Sequence, residues 1–358
     1  MRIGVVREGA AHEHRVALIP QSAERLRPAG HEIVVERNAG LSAGFPDSAY
    51  EKAGVRFASR DEVLTRSDVL LSVQIPGEDL RSVRAGTVVI GLVLAKRDAI
   101  LSIARERQLT VLAMELVPRT TKAQSMDVLS SQATIAGYQA VLLGASHMSR
   151  ILPMLTTAAG TIPPGKAFIL GAGVAGLQAI ATARRLGAVV SAFDVRPVVK
   201  EQVQSLGATF IEAEAVSAAA EGAGGYAREL ADEQQQKVLA AVGKHIPDMD
   251  LVITTAQIPG KPAPRLITQA MVQSMKPGSV IVDLAVETGG NCELSKPGDT
   301  VSVGGVTILG PLNVPSQIPQ HASVMYSRNV QALLEHLTKD GKVVVAADDV
   351  VAGPMILR

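Results

Sequence analysis

A glycine-rich segment near the middle of the chain has the residue types and spacing of a diphosphate-binding loop. Its glycines follow an apolar stretch, KAFIL, and precede a stretch rich in Ala and Leu that ends at Gly187. In a strand–loop–helix unit, glycines at this spacing allow a tight turn, close approach of a diphosphate and close helix packing, and the helix N-terminus attracts the negative charge. The segment therefore predicts dinucleotide binding. Its candidate binding residues are Gly171, Ala172, Gly173, Val174, Ala175 and Gly176.

An acidic residue follows about 20 positions after the first glycine, where the adenosine ribose of a dinucleotide is expected. Asp194 ends the next predicted strand. It would accept hydrogen bonds from both ribose hydroxyls and repel a 2′-phosphate, which favours NAD(H) over NADP(H). Val195 and Arg196 come next and are also candidate contacts. Arg196 either pairs with Asp194, lies along the adenine, or turns toward a 2′-phosphate.

Three further segments contribute candidate cofactor contacts. The predicted strands DLVITT and SVIVDLAV end near Thr255, Ala256 and Gln257 and near Asp283. Carboxyl ends of parallel strands share one edge of a sheet, so these residues are expected beside the nucleotide. A glycine-rich stretch carries Gly225 and Tyr226, and such a stretch is flexible enough to close over a bound nucleotide. The alternative for Tyr226 is an exposed loop with one incidental tyrosine.

The elements that position these residues alternate between strand and helix along most of the chain. This alternation predicts an α/β fold with two doubly wound, parallel-sheet, Rossmann-like domains and the cofactor in the cleft between them. The first domain, of flavodoxin-like type, is discontinuous and comprises residues 1–130 and 312–358; the nucleotide domain comprises residues 131–311. Two long helices join the domains. They are predicted over SMDVLSSQATIAGYQAVLLGASHMSRILPML and SVMYSRNVQALLEHLTK.

Composition excludes several classes of function. The chain has 358 residues, with 35 Lys+Arg against 34 Asp+Glu and no Trp, so it lacks the basic surface and the stacking platforms of a nucleic-acid-binding protein. Cys292 is the only cysteine, which rules out an internal disulfide or a cysteine metal cluster. No metal site is expected from the seven histidines. The N-terminus lacks a signal peptide and no stretch suits a bilayer span, so the chain is expected to be cytoplasmic.

Several segments together resemble the NAD(H)-binding component of proton-translocating nicotinamide nucleotide transhydrogenase. They are RTTKAQSMDVLSSQATIAGY, GAGVAGLQAIATARRLGA with FDVRP, GGYARE and DLAVETGGNCELSKPG. The resemblance implies that NADH bound here passes a hydride directly to NADP+ on a separate subunit, the NADP(H)-binding beta subunit. Membrane-embedded subunits would couple this step to proton translocation. The chain stops at MILR, so it resembles the soluble first half of a split alpha subunit, peripheral to the cytoplasmic face of the inner membrane.

The same resemblance assigns four residues to the nicotinamide end of the cofactor. By motif matching they are Arg119, Gln124, Asp127 and Ser130. Gln124 and Ser130 can hydrogen-bond the carboxamide and ribose, while Asp127 and Arg119 can hold one another and the ring. The alternative is a strand-to-helix loop in which Ser125 or Asp127 caps the helix. A homodimer is also expected, because closed two-fold assemblies are the commonest.

Two other functions remain open from the sequence. The fold and segment order also resemble alanine dehydrogenase, and Arg15 matches the position that holds a substrate carboxylate there. That family carries a Lys before Glu-Pro where this chain reads Val73-Gln74-Ile75-Pro76, and a His within the stretch that reads Gly91–Leu94 here. Its acid would be Glu287, in a different local pattern. A general acid with an orienting partner is therefore missing. The third possibility is an NAD-binding regulatory module without turnover.

Overall fold

The chain forms two compact units in a computed structural model that describes residues 1–93, 96–212, 231–258 and 261–357. The first unit comprises Met1–Gln132 and Pro315–Arg358, and the second comprises Ala133–Val314. Gly225 and Tyr226 lie outside the described residues, so the lid stays a prediction. Both units are α/β with parallel sheets, as the alternation of strands and helices predicts.

The first unit is built on a six-stranded parallel sheet in the order β3-β2-β1-β4-β5-β6. Its strands are β1 (Arg2–Val5), β2 (Glu32–Glu36), β3 (Arg56–Ala58), β4 (Val69–Gln74), β5 (Val88–Leu92) and β6 (Thr110–Ala113). The helices before β6 are α1 (Pro20–Leu26), α2 (Asp47–Lys52), α3 (Arg60–Arg66) and α4 (Arg97–Glu106). Apolar side chains on both faces of the central strands are fully buried, among them Ile3, Leu70 and Ile90. The strand order reverses between β1 and β4, where parallel sheets form crevices for ligands.

Helix α5 (Val128–His147) contains the boundary between the two units. The sequence predicted this helix to continue to Leu155, and that prediction is wrong. Instead, an exposed hairpin follows, made of β7 (Leu155–Thr157) and β8 (Gly160–Ile162). Pro153 excludes a continuous helix to Leu155, because proline disfavours helix at the residue before it and cannot donate a backbone hydrogen bond, while α5 itself ends six residues earlier.

The second unit is built on a seven-stranded sheet in the order β11-β10-β9-β12-β13-β15-β14. Its strands are β9 (Lys166–Leu170), β10 (Val189–Phe193), β11 (Thr209–Phe210), β12 (Leu251–Thr254), β13 (Val280–Asp283), β14 (Thr300–Val303) and β15 (Val306–Leu309). Its helices are α6 (Val174–Arg185), α7 (Lys200–Ser205), α8 (Asp232–His245) and α9 (Gln269–Ser274). The antiparallel edge strand β14 was not predicted. A two-residue Gly304-Gly305 turn with positive φ angles joins β14 to β15, which is typical of a tight hairpin.

The chain then returns to the first unit through α10 (Pro319–Leu337), which fills the core beside β4. This helix is followed by β16 (Thr338–Lys339), β17 (Lys342–Val343) and α11 (Ala352–Met355). Tyr326 of α10 is fully buried and its hydroxyl donates to the Ser72 carbonyl at 2.8 Å. The hydroxyls of Ser323 and Ser327 accept hydrogen bonds from the Val16 and Ile19 N–H groups, each at 3.0 Å. Serine side chains thus satisfy buried backbone donors of the N-terminal segment.

Candidate nucleotide-binding site

The glycine loop between β9 and α6 brings the backbone of several residues unusually close together. Gly171 adopts a φ of +96°, a conformation that glycine allows. A Cβ on Gly176 would lie 1.8 Å from the Gly171 carbonyl oxygen, so only glycine lets α6 pack here. Gly173 differs, because a Cβ there would meet nothing within 4 Å. The open space beside Gly173 lies at the start of α6, where the first N–H groups of a helix have no partner within the helix and attract negative charge.

The Asp194 carboxylate, after β10, is buried and fixes the glycine loop. The Ala172 N–H donates to its Oδ2 at 2.7 Å. Arg196 donates to Oδ1 from its backbone N and from Nε, both at 2.9 Å, and to Oδ2 from Nη2 at 2.8 Å. Of the alternatives for Arg196, the structure has the ion pair with Asp194. The ribose role of Asp194 stays a prediction, and it requires the Arg196 side chain to share or release the carboxylate.

The ends of β12 and β13 also lie within the second unit. Thr255 Oγ1 donates to the Gly171 carbonyl at 3.1 Å, which joins the end of β12 to the glycine loop. Gln257 is exposed and Ala256 is half-buried. The Asn291 side chain makes two hydrogen bonds to the backbone of Ala256. It accepts from the N–H at 3.0 Å and donates to the carbonyl at 2.8 Å. Thr255, Ala256 and Gln257 therefore sit on a segment held at two points.

Asp283 is fully buried and accepts hydrogen bonds from four groups of the chain itself. Its Oδ1 accepts from Thr254 Oγ1 at 2.9 Å and from the Ala285 N–H at 3.0 Å. Its Oδ2 accepts from the Cys292 N–H at 3.0 Å and from Ser295 Oγ at 2.6 Å. Both carboxylate oxygens therefore have hydrogen-bond donors from this chain. This geometry suits a residue that stabilises the conformation of the chain at the end of β13. Direct contact between Asp283 and a cofactor stays a prediction.

The candidate nicotinamide residues lie on one segment of the chain, between β6 and the first turn of α5. Arg119 and Gln124 are exposed, while Asp127 and Ser130 are half-buried. Asp127 precedes α5 and caps it, because its Oδ1 accepts from the Ser130 N–H at 2.9 Å. Its Oδ2 also accepts from Ser130 Oγ at 2.6 Å. The capping alternative for Asp127 is thus present, and it is compatible with a second role toward a ligand.

A polar cluster lies at the carboxyl ends of β1 and β4 in the first unit. Arg15 makes a two-pronged ion pair with Glu13, with Nη2 to Oε2 at 2.6 Å, and donates from Nη1 to Gln132 at 2.8 Å. Gln74 Nε2 donates to Glu13 at 2.9 Å. The Glu8 carboxylate accepts from the Val73 N–H at 2.6 Å, yet burial raises the pKa of Glu8 to about 8. Arg15 matches a substrate-carboxylate position, and its guanidinium is hydrogen-bonded to Glu13 and Gln132 of this chain.

Comparison with known proteins assigns the chain to a family. Models described as the N-terminal and C-terminal domains of alanine dehydrogenase/PNT match residues 4–136 and 140–358. The chain belongs to the alanine dehydrogenase/PNT family. Within this family, the first part of the split NAD(P) transhydrogenase subunit alpha of Rhodospirillum rubrum is 46% identical, and the match covers 100% of this chain and 96% of that protein.

Solved structures in the alanine dehydrogenase/PNT family agree with this assignment. The transhydrogenase of Sinorhizobium meliloti is 47% identical over 99% of this chain and 98% of its own, with a TM-score of 0.91. An L-alanine dehydrogenase is 26% identical over 96% of this chain and 97% of its own, with a TM-score of 0.76. The predicted resemblance to the transhydrogenase alpha subunit, with a more distant relation to alanine dehydrogenase, is confirmed.

The structure also bears on metal ions and membranes. Among residues 1–93, 96–212, 231–258 and 261–357, it brings together no group of three His, Cys, Asp or Glu side chains suited to a metal ion. Within the same ranges, every helix is too short or too polar to cross a bilayer.

Sequence reasoning missed three residues that organise these segments, namely Asn291, Ser131 and Asn329. Asn329 lies on the buried face of α10, where a carboxamide among apolar residues is itself a signal of a specific partner. Its partners are about 200 positions away in the chain, and no local spacing reveals them. Asn291 gave a similar signal, as a fully buried amide in a glycine-rich turn.

Proposed function

We propose that this chain is the NAD(H)-binding component of a proton-translocating NAD(P) transhydrogenase. The observation that carries the proposal is the 46% identity with a transhydrogenase alpha-subunit protein over the whole chain. The glycine loop supports it, because the space at Gly173 and the start of α6 fit a dinucleotide diphosphate. Asp194 also favours NAD(H) over NADP(H), because a carboxylate beside the adenosine ribose would repel the 2′-phosphate of NADP(H).

The chemistry requires this chain chiefly to hold and orient a cofactor. Bound NADH supplies a hydride to NADP+ on the partner subunit, and such a transfer needs reacting carbons within about 3 to 3.5 Å. The glycine loop binds the diphosphate, while Gln124 and Ser130 contact the nicotinamide end. Asp127 holds Ser130 and α5 in register, and Arg119 stabilises the ring. Hydride exchange between two nicotinamides moves no proton to a substrate, so the chain needs no general acid.

The proposal includes partners. The NADP(H)-binding beta subunit receives the hydride, and membrane-embedded subunits couple the reaction to proton translocation, so the chain would work in the cytoplasm at the inner membrane.

A homodimer is the proposed state of the chain itself. The exposed β7–β8 hairpin supports it, because Met154 just before β7 and Ile162 at the end of β8 are 65% and 50% exposed, and exposed apolar side chains close together favour burial against another copy.

An alanine dehydrogenase is the second candidate, because Arg15 and the family membership favour it. Reduction of an imino acid needs a proton donor in the site, and loss of such a donor costs about 10²- to 10⁴-fold in rate. In the Arg15 cluster, Gln74 is a neutral amide that donates to Glu13. An amide at this position can orient a carbonyl but cannot transfer a proton at neutral pH.

One experiment separates the candidates. The purified chain is mixed with a purified NADP(H)-binding transhydrogenase component, and reduction of an NAD analogue by NADPH is followed spectroscopically. We expect turnover only when both proteins are present. The control uses the chain alone with NADH, pyruvate and ammonia, and rapid NADH oxidation there would support an alanine dehydrogenase instead. NADH binding without turnover in either assay would support the regulatory module.

A further inference from the structure

The buried side chain of Asn329, on α10, bridges two points of the segment that carries the nicotinamide residues. Its Nδ2 donates to the Ser125 carbonyl oxygen at 2.7 Å. Its Oδ1 accepts from the Ser131 hydroxyl at 2.7 Å. Ser125 lies just before Asp127 and Ser131 lies in the first turn of α5, so a single carboxamide holds the chain on both sides of Asp127.

The backbone between these two points changes course, which is why it needs an external anchor. Residues Thr121–Met126 form a 3-10 helix, Asp127 is extended with φ −71° and ψ 91°, and α5 begins at Val128. Asp127 links this change of direction to α5 through its hydrogen bonds with Ser130. Asn329 links the same turn of the chain to α10, a long helix whose Tyr326 and Val330 are fully buried in the core. The anchor is therefore on a rigid element.

The hydroxyl that Asn329 contacts is itself held by neighbours. Gln132 Nε2 donates to Ser131 Oγ at 3.3 Å and to the Ala322 carbonyl, also on α10, at 3.1 Å. Arg15 in turn donates to Gln132 Oε1 at 2.8 Å. A continuous set of hydrogen bonds thus runs from the Arg15 cluster to the carbonyl of Ser125.

We propose that Asn329 is a positioning residue for hydride transfer. By holding Ser125 and Ser131, it fixes the segment that presents Arg119, Gln124, Asp127 and Ser130 to the nicotinamide ring. The inference rests on the proposed function and adds to it a residue that does not contact the cofactor. Its effect falls on orientation of the ring, because the proposed contacts to the diphosphate and the adenosine ribose lie on the second unit.

The chemistry of the position requires a carboxamide of this length. One atom must donate to a carbonyl and another must accept from a hydroxyl, and the asparagine side chain supplies both. In Asn329→Asp, a carboxylate oxygen faces the Ser125 carbonyl oxygen, so the anchor turns into a repulsion. In Asn329→Leu, both hydrogen bonds are lost while the side chain keeps a similar size.

The test measures rate and binding separately. Each variant is combined with the NADP(H)-binding component, and the single-turnover rate of hydride transfer from NADPH to an NAD analogue is measured, along with the Kd of the chain alone for NADH. We expect the rate in Asn329→Asp to fall about 10- to 100-fold, because small misplacements of reacting groups have effects of this size. The Kd for NADH should change less than about 3-fold, since the proposed contacts to the diphosphate and the adenosine ribose are untouched.

Matched variants keep the result interpretable. Arg328→Ala removes an exposed neighbour on α10 and should retain the wild-type rate. Ser131→Ala removes only the hydroxyl bound to Oδ1 and should give a smaller loss of rate than Asn329→Asp. If Asn329→Asp does not fold, Ser131→Ala decides, and an unchanged rate in that variant overturns the proposal.

Other outcomes also count against it. A folded Asn329→Asp or Asn329→Leu with the wild-type rate overturns the proposal, and so does an equal loss of rate and NADH affinity, which would mark a general structural role. A wild-type chain that gives no hydride transfer with the partner component refutes the proposed function itself. A wild-type chain that is active while the variants are unaffected refutes only the role of Asn329.

Discussion

At the scale of single residues, the pair of Asp194 and Arg196 poses a testable question about the nucleotide site. The carboxylate is buried and bound to the guanidinium, although its predicted role is to bind ribose hydroxyls. If it has that role, removal of Asp194 weakens NADH binding, while removal of Arg196 frees the carboxylate. The two single variants therefore distinguish a ligand contact from a purely structural pair.

We expect Asp194→Ala to weaken NADH binding by about 1 to 3 kcal/mol, the contribution of hydrogen bonds to a charged group. Arg196→Ala should leave the Kd for NADH unchanged or lower. Isothermal titration of both purified variants provides the measurement. Equal weakening in the two variants would instead mean that the ion pair merely keeps the glycine loop in shape.

Glu8 predicts a specific dependence of stability on pH. Burial raises its pKa from 4.5 to about 8, so the folded chain retains a proton that the unfolded chain releases. This contribution to stability is complete below pH 4.5 and is lost as the pH rises toward 8. Glu8→Gln mimics the protonated form, so its melting temperature should rise relative to wild type between pH 5 and about 8.5.

The control for Glu8→Gln is Glu51→Gln, which alters an exposed carboxylate. Its melting temperature should follow that of the wild type across the same pH range. If the melting temperatures of Glu8→Gln and wild type change with pH in parallel, Glu8 is ionised in the folded chain throughout this pH range.

At the scale of elements, the glycine loop allows packing and ligand binding to be separated by two substitutions. Gly176→Ala places a Cβ 1.8 Å from the Gly171 carbonyl oxygen, so α6 must move away from β9. We expect a loss of about 1 to 3 kcal/mol in the free energy of unfolding, as overpacking typically causes. Urea denaturation of the purified chain measures it.

Gly173→Ala is the matched substitution at the same loop, since its Cβ meets nothing within 4 Å and its extended backbone suits any residue. It should keep the wild-type stability and lose NADH affinity at least about 10-fold, because the methyl group occupies the place of the diphosphate. An unchanged Kd would show that the phosphates bind elsewhere.

The elements also show where sequence reasoning succeeds and where it stops. The glycine loop was predictable because its demands are local: a turn, a close approach and a helix start all lie within one short segment. Asn291 and Asn329 act through partners distant in sequence, so only the fold reveals them. The end of α5 was misplaced because the apolar spacing continues past His147, although Pro153 excludes a helix that reaches Leu155.

At the scale of the whole molecule, the exposed β7–β8 hairpin predicts the state of association. Lysines in place of Met154 and Ile162 should convert a dimer to a monomer, because charges at an apolar contact are costly to bury. Sedimentation velocity at micromolar concentration gives the measurement. Val350→Lys, at another exposed apolar residue in the first unit, serves as the control and should leave the mass unchanged.

The discontinuous first unit has a consequence for synthesis on the ribosome. Helix α10, whose side chains complete the core around β4, is made only after the whole of Ala133–Val314 has been translated. Translation proceeds at about 5 to 20 residues per second, so roughly 10 to 40 s pass between synthesis of the N-terminal part of this core and synthesis of α10. Throughout this interval the nascent N-terminal segment exposes apolar surface, so chaperones that recognise such surface should bind it until the helix emerges.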